Sequence, residues 1–421
     1  MESQSSIWYN DVMKVWIKYL IGIALGVVSA LVLPLDGAKS SEVLGFLTQL
    51  FINFGRYLVI PIVFSSVIVS ICKLRSSKLI LKTTIWTFSI IVISSLLLTL
   101  VGLLAISIVK LPRIPITIDG APELVNINLK SLILSLFPLS AFDSLTEGSF
   151  LLVSFVFAFL IGWECASEES TYRPIFSFVD ALSKLFYNIA VFFTEIMSIF
   201  IIAAVCNWTI TFKSLLLTGI YTPLIIMLLC TLIFIIGIVY PVIIRYVCHD
   251  PHPYKVLFAS VAPMLLAFFS TDSNLVLPMN IRHGKESLGI RRRCSGFTYP
   301  LFSVFARGGS SLVATICFIL IWRSYSSLNM AFADVMWIFF ASFGLSFLLG
   351  GIPSGGVFIL LTILCETYGK GFETSFHLLK PASLIICSFS TVFDVATAMF
   401  GSYIVAVKTK MIEHHTVQHF I

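Results

Sequence analysis

The chain has 421 residues, of which 58% are hydrophobic and only 11% charged, with a net charge of +6. A soluble domain carries about 25% charged residues, so a water-facing globule is excluded and lipid must form part of the solvent. The basic excess needs no nucleic acid: its densest run, Arg291–Arg293, reads as a cytoplasmic loop that follows the positive-inside bias.

The apolar runs are long and unbroken, as in Ile91–Val109 and Leu224–Val239. A barrel would alternate apolar and polar residues in short strands, so the spanning segments are α-helices, with room for about eight to ten of about 20 residues each. Met1–Val12 is polar and the apolar run after it is long enough to span, so no cleavable signal peptide is expected. The nine cysteines are scattered without C-x-x-C spacing, which predicts neither a metal site nor a disulfide framework.

Val15–Leu35 is the first predicted helix, with Gly22 and Gly26 at small-xxx-small spacing. Val43–Ile71 follows, interrupted by Arg56 and Pro61, and ends in Lys73, Arg75, Lys78 and Lys82. That cluster places this end, and with it the amino terminus, inside the cell. Thr84–Val109 runs outward, and Leu111–Gly148, with Pro112, Pro115, Pro122 and Pro138, forms an outer break. Phe150–Trp163 returns, Leu185–Cys206 goes out and Leu215–Ile244 comes back, with a kink expected at Pro241.

The second half is interrupted in a repeating way. Val256–Phe269 breaks at Ser270-Thr271-Asp272-Ser273-Asn274, resumes as Leu275–Pro278 and ends in basic residues. Basic residues on both flanks predict a re-entrant hairpin entered from inside. Phe297–Trp322 spans, with Arg307-Gly308-Gly309-Ser310-Ser311 near its middle. Val335–Leu349 breaks at Gly350–Gly356 and resumes as Val357–Leu364, a second re-entrant hairpin. Leu384–Val407 is the last helix, interrupted by Asp394 and Thr397 and ending inside at Lys408 and Lys410. Hairpin followed by broken helix occurs twice, in inverted orientation. Paired interrupted segments of this kind point to the midplane site of a secondary transporter, because irregular backbone at that depth must be buried or line a wet cavity.

Asp272, Arg307 and Asp394 would lie within the membrane, where each charge costs about 2.5–3.5 kcal/mol. Solute or ion binding and a structural ion pair between Arg307 and one aspartate are both open. The tip Asp272-Ser273-Asn274 offers carboxylate, hydroxyl, amide and freed N–H groups, either for an anion or as a plain capping turn. The tip Gly350–Gly356 allows close backbone approach or a simple helix break. There is no H-E-x-x-H and no nucleophile elbow, so an enzyme is not expected.

These segments resemble the dicarboxylate/amino acid:cation symporters, the family that includes the glutamate transporters. Phe54-Gly55-Arg56 through Pro61-Ile62-Val63-Phe64-Ser65-Ser66 is similar to its second helix. Pro138 and Gly148–Gly162 resemble its fourth, and Ser270–Pro278 its first hairpin tip. Leu288-Gly289 and Ser295–Leu301 resemble its link into the seventh helix, and Gly351-Ile352-Pro353-Ser354-Gly355-Gly356 its second hairpin tip.

The resemblance implies an all-α polytopic membrane protein with eight transmembrane helices, two re-entrant hairpins and inverted repeats. It implies a scaffold (1–82 and 111–212), an elevator-type transport domain (83–110 and 213–421) and a homotrimer. It places solute binding at Asp272, Ser273, Asn274, Arg307, Ile352, Pro353, Ser354, Gly355, Gly356, Asp394 and Thr397. The family's cation motif Asn-Met-Asp-Gly-Thr aligns with Ala306-Arg307-Gly308-Gly309-Ser310, leaving Gly308 and Ser310 as remnants of a cation site. Thr397, Gly401 and Val405 replace the helix-eight Arg or neutral residue, Asn and second Asp. The expected function is secondary active transport of an amino acid or dicarboxylate with altered or lost sodium coupling, the coupling cation being H+ or Na+. A solute-binding sensor and a conventional sodium symporter are the alternatives. The expected partners are the solute, membrane lipid and two further copies, with no cofactor, metal or nucleic acid. The expected location is a bacterial inner membrane, with both termini cytoplasmic.

Overall fold

The fold is given by a computed structural model that describes residues 14–32, 38–115, 151–167, 169–326, 330–351 and 355–413. Among these, eight helical stretches are long and apolar enough to cross a membrane. The first is α1 (Val15–Val32), whose Gly22 and Gly26 are buried. A Cβ on Gly22 would lie 2.4 Å from the Ser198 carbonyl oxygen, and one on Gly26 would lie 2.7 Å from Val205 Cβ. The glycine spacing thus brings α1 backbone to backbone with α6 (Glu169–Thr218), the helix that carries Ser198 and Val205.

The expected second helix is two pieces, α2 (Ala38–Arg56) and α3 (Val59–Ser76). The break falls at Tyr57–Leu58, between Arg56 and Pro61, because Pro61 cannot donate to a preceding carbonyl and sits best in a first turn. Then come α4 (Ile80–Ile108) and α5 (Leu151–Cys165). The described part of α5 is 15 residues, whereas Phe332–Leu349 in the second half does reach spanning length. The eight apolar stretches among the described residues thus include Phe332–Leu349 and leave out α5, whose preceding residues lie outside the described ones.

A second difference lies in α6. The expected outgoing helix was Leu185–Cys206, with the return beginning at Leu215. Instead α6 continues for 50 residues, about 75 Å at 1.5 Å per residue, and Leu215 belongs to its last turns. The turn falls at Gly219, whose φ is +68°, a conformation that glycine adopts without a Cβ penalty. The return is α7 (Thr222–Phe234), a π-helical segment (Ile235–Val239) and α8 (Tyr240–Val247). Pro241 removes one N–H from this ladder, and the π segment just before it is the local adjustment.

The core of the second half is α9 (Tyr254–Ser270), α10 (Ser273–Glu286), α11 (Arg292–Phe305), α12 (Gly308–Tyr325), α13 (Phe332–Ser346), α14 (Gly356–Tyr368) and α15 (Ser383–Lys408). In the stretches Arg292–Tyr325 and Ser375–Lys408, 94% of the apolar window is buried, against 22% in α1. These two stretches therefore form the centre, and α1 leaves most of its surface exposed. α12 packs against α4, α13, α14 and α15, while α15 also packs against α9, α10 and α11.

The last helix corrects an expectation. Asp394 and Thr397 do not interrupt it: α15 runs unbroken from Ser383 to Lys408. Thr397 Oγ1 donates to the Phe393 carbonyl at 2.7 Å, the back-bond by which a hydroxyl residue is accommodated inside a helix.

The α1–α6 contact generates a prediction. Gly22→Ala inserts a methyl against a backbone oxygen, an overpacking that costs about 1–3 kcal/mol. Its unfolding midpoint in detergent should fall, while Gly45→Ala, which meets nothing within 4 Å, should leave it unchanged. Equal midpoints would show that α1 does not rest on α6 at this position.

Candidate functional site

The site is built from helix ends that meet inside the bundle. Such ends leave N–H and C=O groups without intrahelical partners, and lipid cannot supply them. At the first break, Thr271 ends α9 in the left-handed conformation (φ 53°) and Asp272 is the N-cap of α10. Its Oδ1 accepts from Asn274 N at 2.9 Å and from Leu275 N at 3.4 Å. Its other oxygen pairs with Arg56 Nε of α2. Asp272 is completely buried, while the Arg56 side chain is 30% exposed. Asn274 Oδ1 accepts from Ser303 Oγ of α11 at 3.0 Å. Ser273 Oγ and Asn274 Nδ2 are buried with no partner among the described residues.

At the second break, Ala306 and Arg307 separate α11 from α12. The cap of α12 comes from another helix, in the form of Asp394 on α15. Its Oδ1 accepts from Gly309 N at 2.8 Å and Ser310 N at 3.3 Å, and its Oδ2 accepts from Ser310 Oγ at 2.8 Å. Ser310 Oγ also lies 2.9 Å from Ser390 Oγ. Arg307 Nη1 is 3.8 Å from Asp394 Oδ2, and its guanidinium interacts electrostatically with Asp394 first and Asp272 second. Four charges therefore belong to one cluster: Asp272 and Asp394 against Arg56 and Arg307, a sum of zero.

Two glycines of α12 set its position. A Cβ on Gly309 would fall 2.3 Å from Phe393 Cβ and 2.8 Å from Asp394 Oδ1, and one on Gly308 would fall 2.7 Å from Ser95 Cα of α4. Gly308, expected as a remnant of a cation site, is thus a packing residue between α12 and α4, and the Ser310 hydroxyl is engaged with Asp394 and Ser390. Thr397 faces α8, its Oγ1 2.6 Å from the Tyr240 hydroxyl. Gly355 is the N-cap of α14 with φ 70°, and space is open around it. Gly356 begins α14, 3.8 Å from Leu349 as its nearest neighbour for an added Cβ. Ile352, Pro353 and Ser354 lie outside the described residues. The short 3-10 segment before them (Phe347–Gly351) packs on α11 and α5.

The structure therefore brings Asp272, Ser273, Asn274, Arg307, Ser310 and Asp394 to neighbouring helix ends, with Thr397 one turn along from Asp394. Sequence reasoning missed Arg56, read only as an interruption of a helix, and Tyr240, read as part of an apolar run. Arg56 did carry a signal, since a guanidinium inside an apolar stretch needs a buried partner.

Comparison with known proteins agrees with this arrangement. The sodium:dicarboxylate symporter family matches residues 15–408. The chain is 23% identical over 370 residues to the proton/sodium-glutamate symport protein of Geobacillus stearothermophilus, covering 85% of each. It is 27% identical over 113 residues to the human neutral amino acid transporter B(0), which is 27% of this chain and 21% of that one. To human neutral amino acid transporter A it is 25% identical over 133 residues, 32% of this chain and 24% of the other. The matched stretch spans about a fifth of the length of the B(0) transporter. With a family match that runs nearly from end to end, the chain belongs to the sodium:dicarboxylate symporter family, whose members carry solutes and are not enzymes.

Proposed function

We propose that the protein is a secondary transporter of a small amino acid with no net charge, moved without a requirement for sodium. The observation that carries this reading is the charge balance of the cluster. Asp272 and Asp394 are already matched by Arg56 and Arg307. A zwitterion adds no net charge to such a site. An acidic amino acid or a dicarboxylate adds at least one negative charge in a low-dielectric setting, with a large desolvation cost unless a cation accompanies it. Position 397 offers a neutral hydroxyl, not a cation, and that hydroxyl is held by Tyr240. The names of two relatives, neutral amino acid transporters, point the same way.

Sodium independence rests on Arg307. It places a permanently charged guanidinium at the family's cation motif, and the oxygens that could attract an ion there are absent (Ala306, Gly308, Gly309) or engaged (Ser310). Arg307 acts as a built-in cation. Protons or exchange of solutes supply the coupling.

Movement follows the elevator scheme that the family resemblance implies, in a homotrimer. α9–α10 and α13–α14 are re-entrant hairpins, and α4 with α7 to α15 slides past α1, α2, α3, α5 and α6. The packing within each set is consistent with this division, since α1 and α2 lie on α6, α3 lies on α5 and α4 lies on α12 and α15, while α3 against α11 forms the main contact between the sets. Arg56–Asp272, Glu195–Arg282 and Asp180–Arg292 bridge the two sets.

Uptake into proteoliposomes tests substrate and coupling together. Alanine- or serine-sized neutral amino acids should accumulate equally in sodium and in choline at equal pH with the membrane potential clamped. Glutamate and aspartate should neither accumulate nor compete. A steep sodium dependence would overturn the coupling, and uptake of glutamate would overturn the choice of solute.

The pair between α2 and α10 gives a second test. Arg56→Gln and Asp272→Asn each leave a charge in the bundle without its partner, and the double variant removes both. A double-mutant cycle on thermal unfolding should give a coupling energy of about 0.5–3 kcal/mol. The double variant should also turn over faster than the parent, because no ion pair has to separate in each cycle. Additive effects of the two substitutions, or an unchanged turnover, would remove the pair from the moving boundary.

A further inference from the structure

A second charged feature lies away from the helix ends of the site. A cavity of about 510 Å³ is lined by Cys72, Lys73, Ser76 and Ser77 at the end of α3, Cys165 at the end of α5, Arg173 and Phe176 on α6, and Arg293 on α11. A neighbouring hollow of about 320 Å³ shares Lys73 and Arg293 and adds Lys285, Arg291, Arg292 and Glu413. Six basic side chains line the two hollows. The carboxylates set against them are Asp180, which takes Lys73 at 3.1 Å and Arg292 at 3.4 Å, and Glu413, which takes Arg291 at 3.3 Å. Among the residues that line the two hollows, basic side chains outnumber carboxylates.

Arg293 has no ion-pair partner among the described residues, and its Nε is buried without a hydrogen-bond acceptor among them. Lys73, Arg173 and Arg293 converge on a cavity whose lining includes no carboxylate. Two guanidinium forks and an ammonium suit the oxygens of a phosphate. The first turn of α11, carrying Arg293, adds the positive end of a helix.

The source of that phosphate follows from the cavity's level. Three apolar spans end around it, at Ser76, at Ser170 and at Arg292. The cavity therefore lies at the basic end of these spans, a level that suits lipid headgroups. Beside it α6 exposes Ile175 and Phe178, an apolar surface along which acyl chains can lie. We infer that this cavity binds the phosphate headgroup of an anionic phospholipid, inserted between α3, α5 and α6 on one side and α11 on the other. The site is independent of the identity of the transported solute.

Binding is measured on the purified full chain, stripped of lipid in detergent and offered phosphatidylglycerol, phosphatidylcholine or inorganic phosphate. Phosphatidylglycerol should be retained and raise the unfolding midpoint, and phosphatidylcholine should do neither. Arg173→Gln with Arg293→Gln should weaken phosphatidylglycerol about thirtyfold, from about 1 kcal/mol per basic residue at a membrane surface. Lys110→Gln with Lys213→Gln, two exposed lysines elsewhere, should leave binding unchanged. Arg173→Lys with Arg293→Lys keeps both charges and should retain most of the affinity. Equal phosphatidylglycerol retention in the double glutamine variant overturns the site. Loss in the double lysine variant as well would mean that packing rather than charge had been removed, and overturns it too. Stabilisation by inorganic phosphate with no preference for phosphatidylglycerol would overturn the lipid as its occupant.

Discussion

The arrangement of the second half depends on one contact, the Asp394 carboxylate set against the first N–H groups of α12. A helix that starts inside a bilayer exposes donors that water would satisfy at a surface. In α10 the chain provides its own cap, Asp272. In α12 the residue at the N-cap position is Arg307, which makes no side-chain cap hydrogen bond, so a carboxylate from α15 fills the place. Satisfying those donors draws α15 and α12 together until only glycine fits at position 309. The same carboxylate then holds Arg307. Backbone satisfaction, helix packing and charge compensation are joined in a single side chain, and this is why a buried aspartate can persist despite a cost of about 2.5–3.5 kcal/mol for a charge at membrane depth.

How much of this could be read from the sequence follows from what kind of signal each feature leaves. Breaks at Ser270–Asn274 and at Arg307 were legible because polar or glycine-rich residues interrupt an apolar run, and the helices do end there. The break expected at Asp394 and Thr397 carried the same signal but is absent. Composition marks a polar side chain in an apolar helix, but it does not say whether that side chain turns on its own backbone or reaches sideways. Asp394 reaches α12 and Thr397 reaches Tyr240, so the ladder of α15 stays whole. The extent of α6 was obscured for the opposite reason. The helix was expected to stop at Cys206, before the polar residues that precede Leu215, but a helix satisfies its backbone internally wherever its side chains point.

Pairings across long separations left the weakest trace. Arg56 and Asp272 are 216 positions apart, and no periodicity connects them. What the sequence did contain was an inventory: charges at membrane depth must find opposites. Arg56 entered that inventory only as an interruption, so Arg307 was paired with one aspartate and the other was left without a partner. The structure divides the task, Arg56 with Asp272 and Arg307 with Asp394. The division changes the electrostatics of the site. With a single arginine the cluster would carry net negative charge and attract a cation. With two it is neutral.

Neutrality has a further consequence for the way such a site can work. In an uncompensated site each ion or charged solute must bring its counter-charge along, and binding is coupled to that partner by the cost of leaving it behind. Here the compensation is covalently part of the chain. Arg307 cannot dissociate, so the cluster has the same net charge empty as loaded with a zwitterion, and the two states differ little in the cost of being carried through low dielectric. A transporter that works by exchange needs its loaded form to cross readily, and one that accumulates solute needs its empty form to return. A built-in cation meets both electrostatic conditions. On the proposed reading the energy of a sodium gradient is not used, and net accumulation draws on a proton or on a second solute moving the other way.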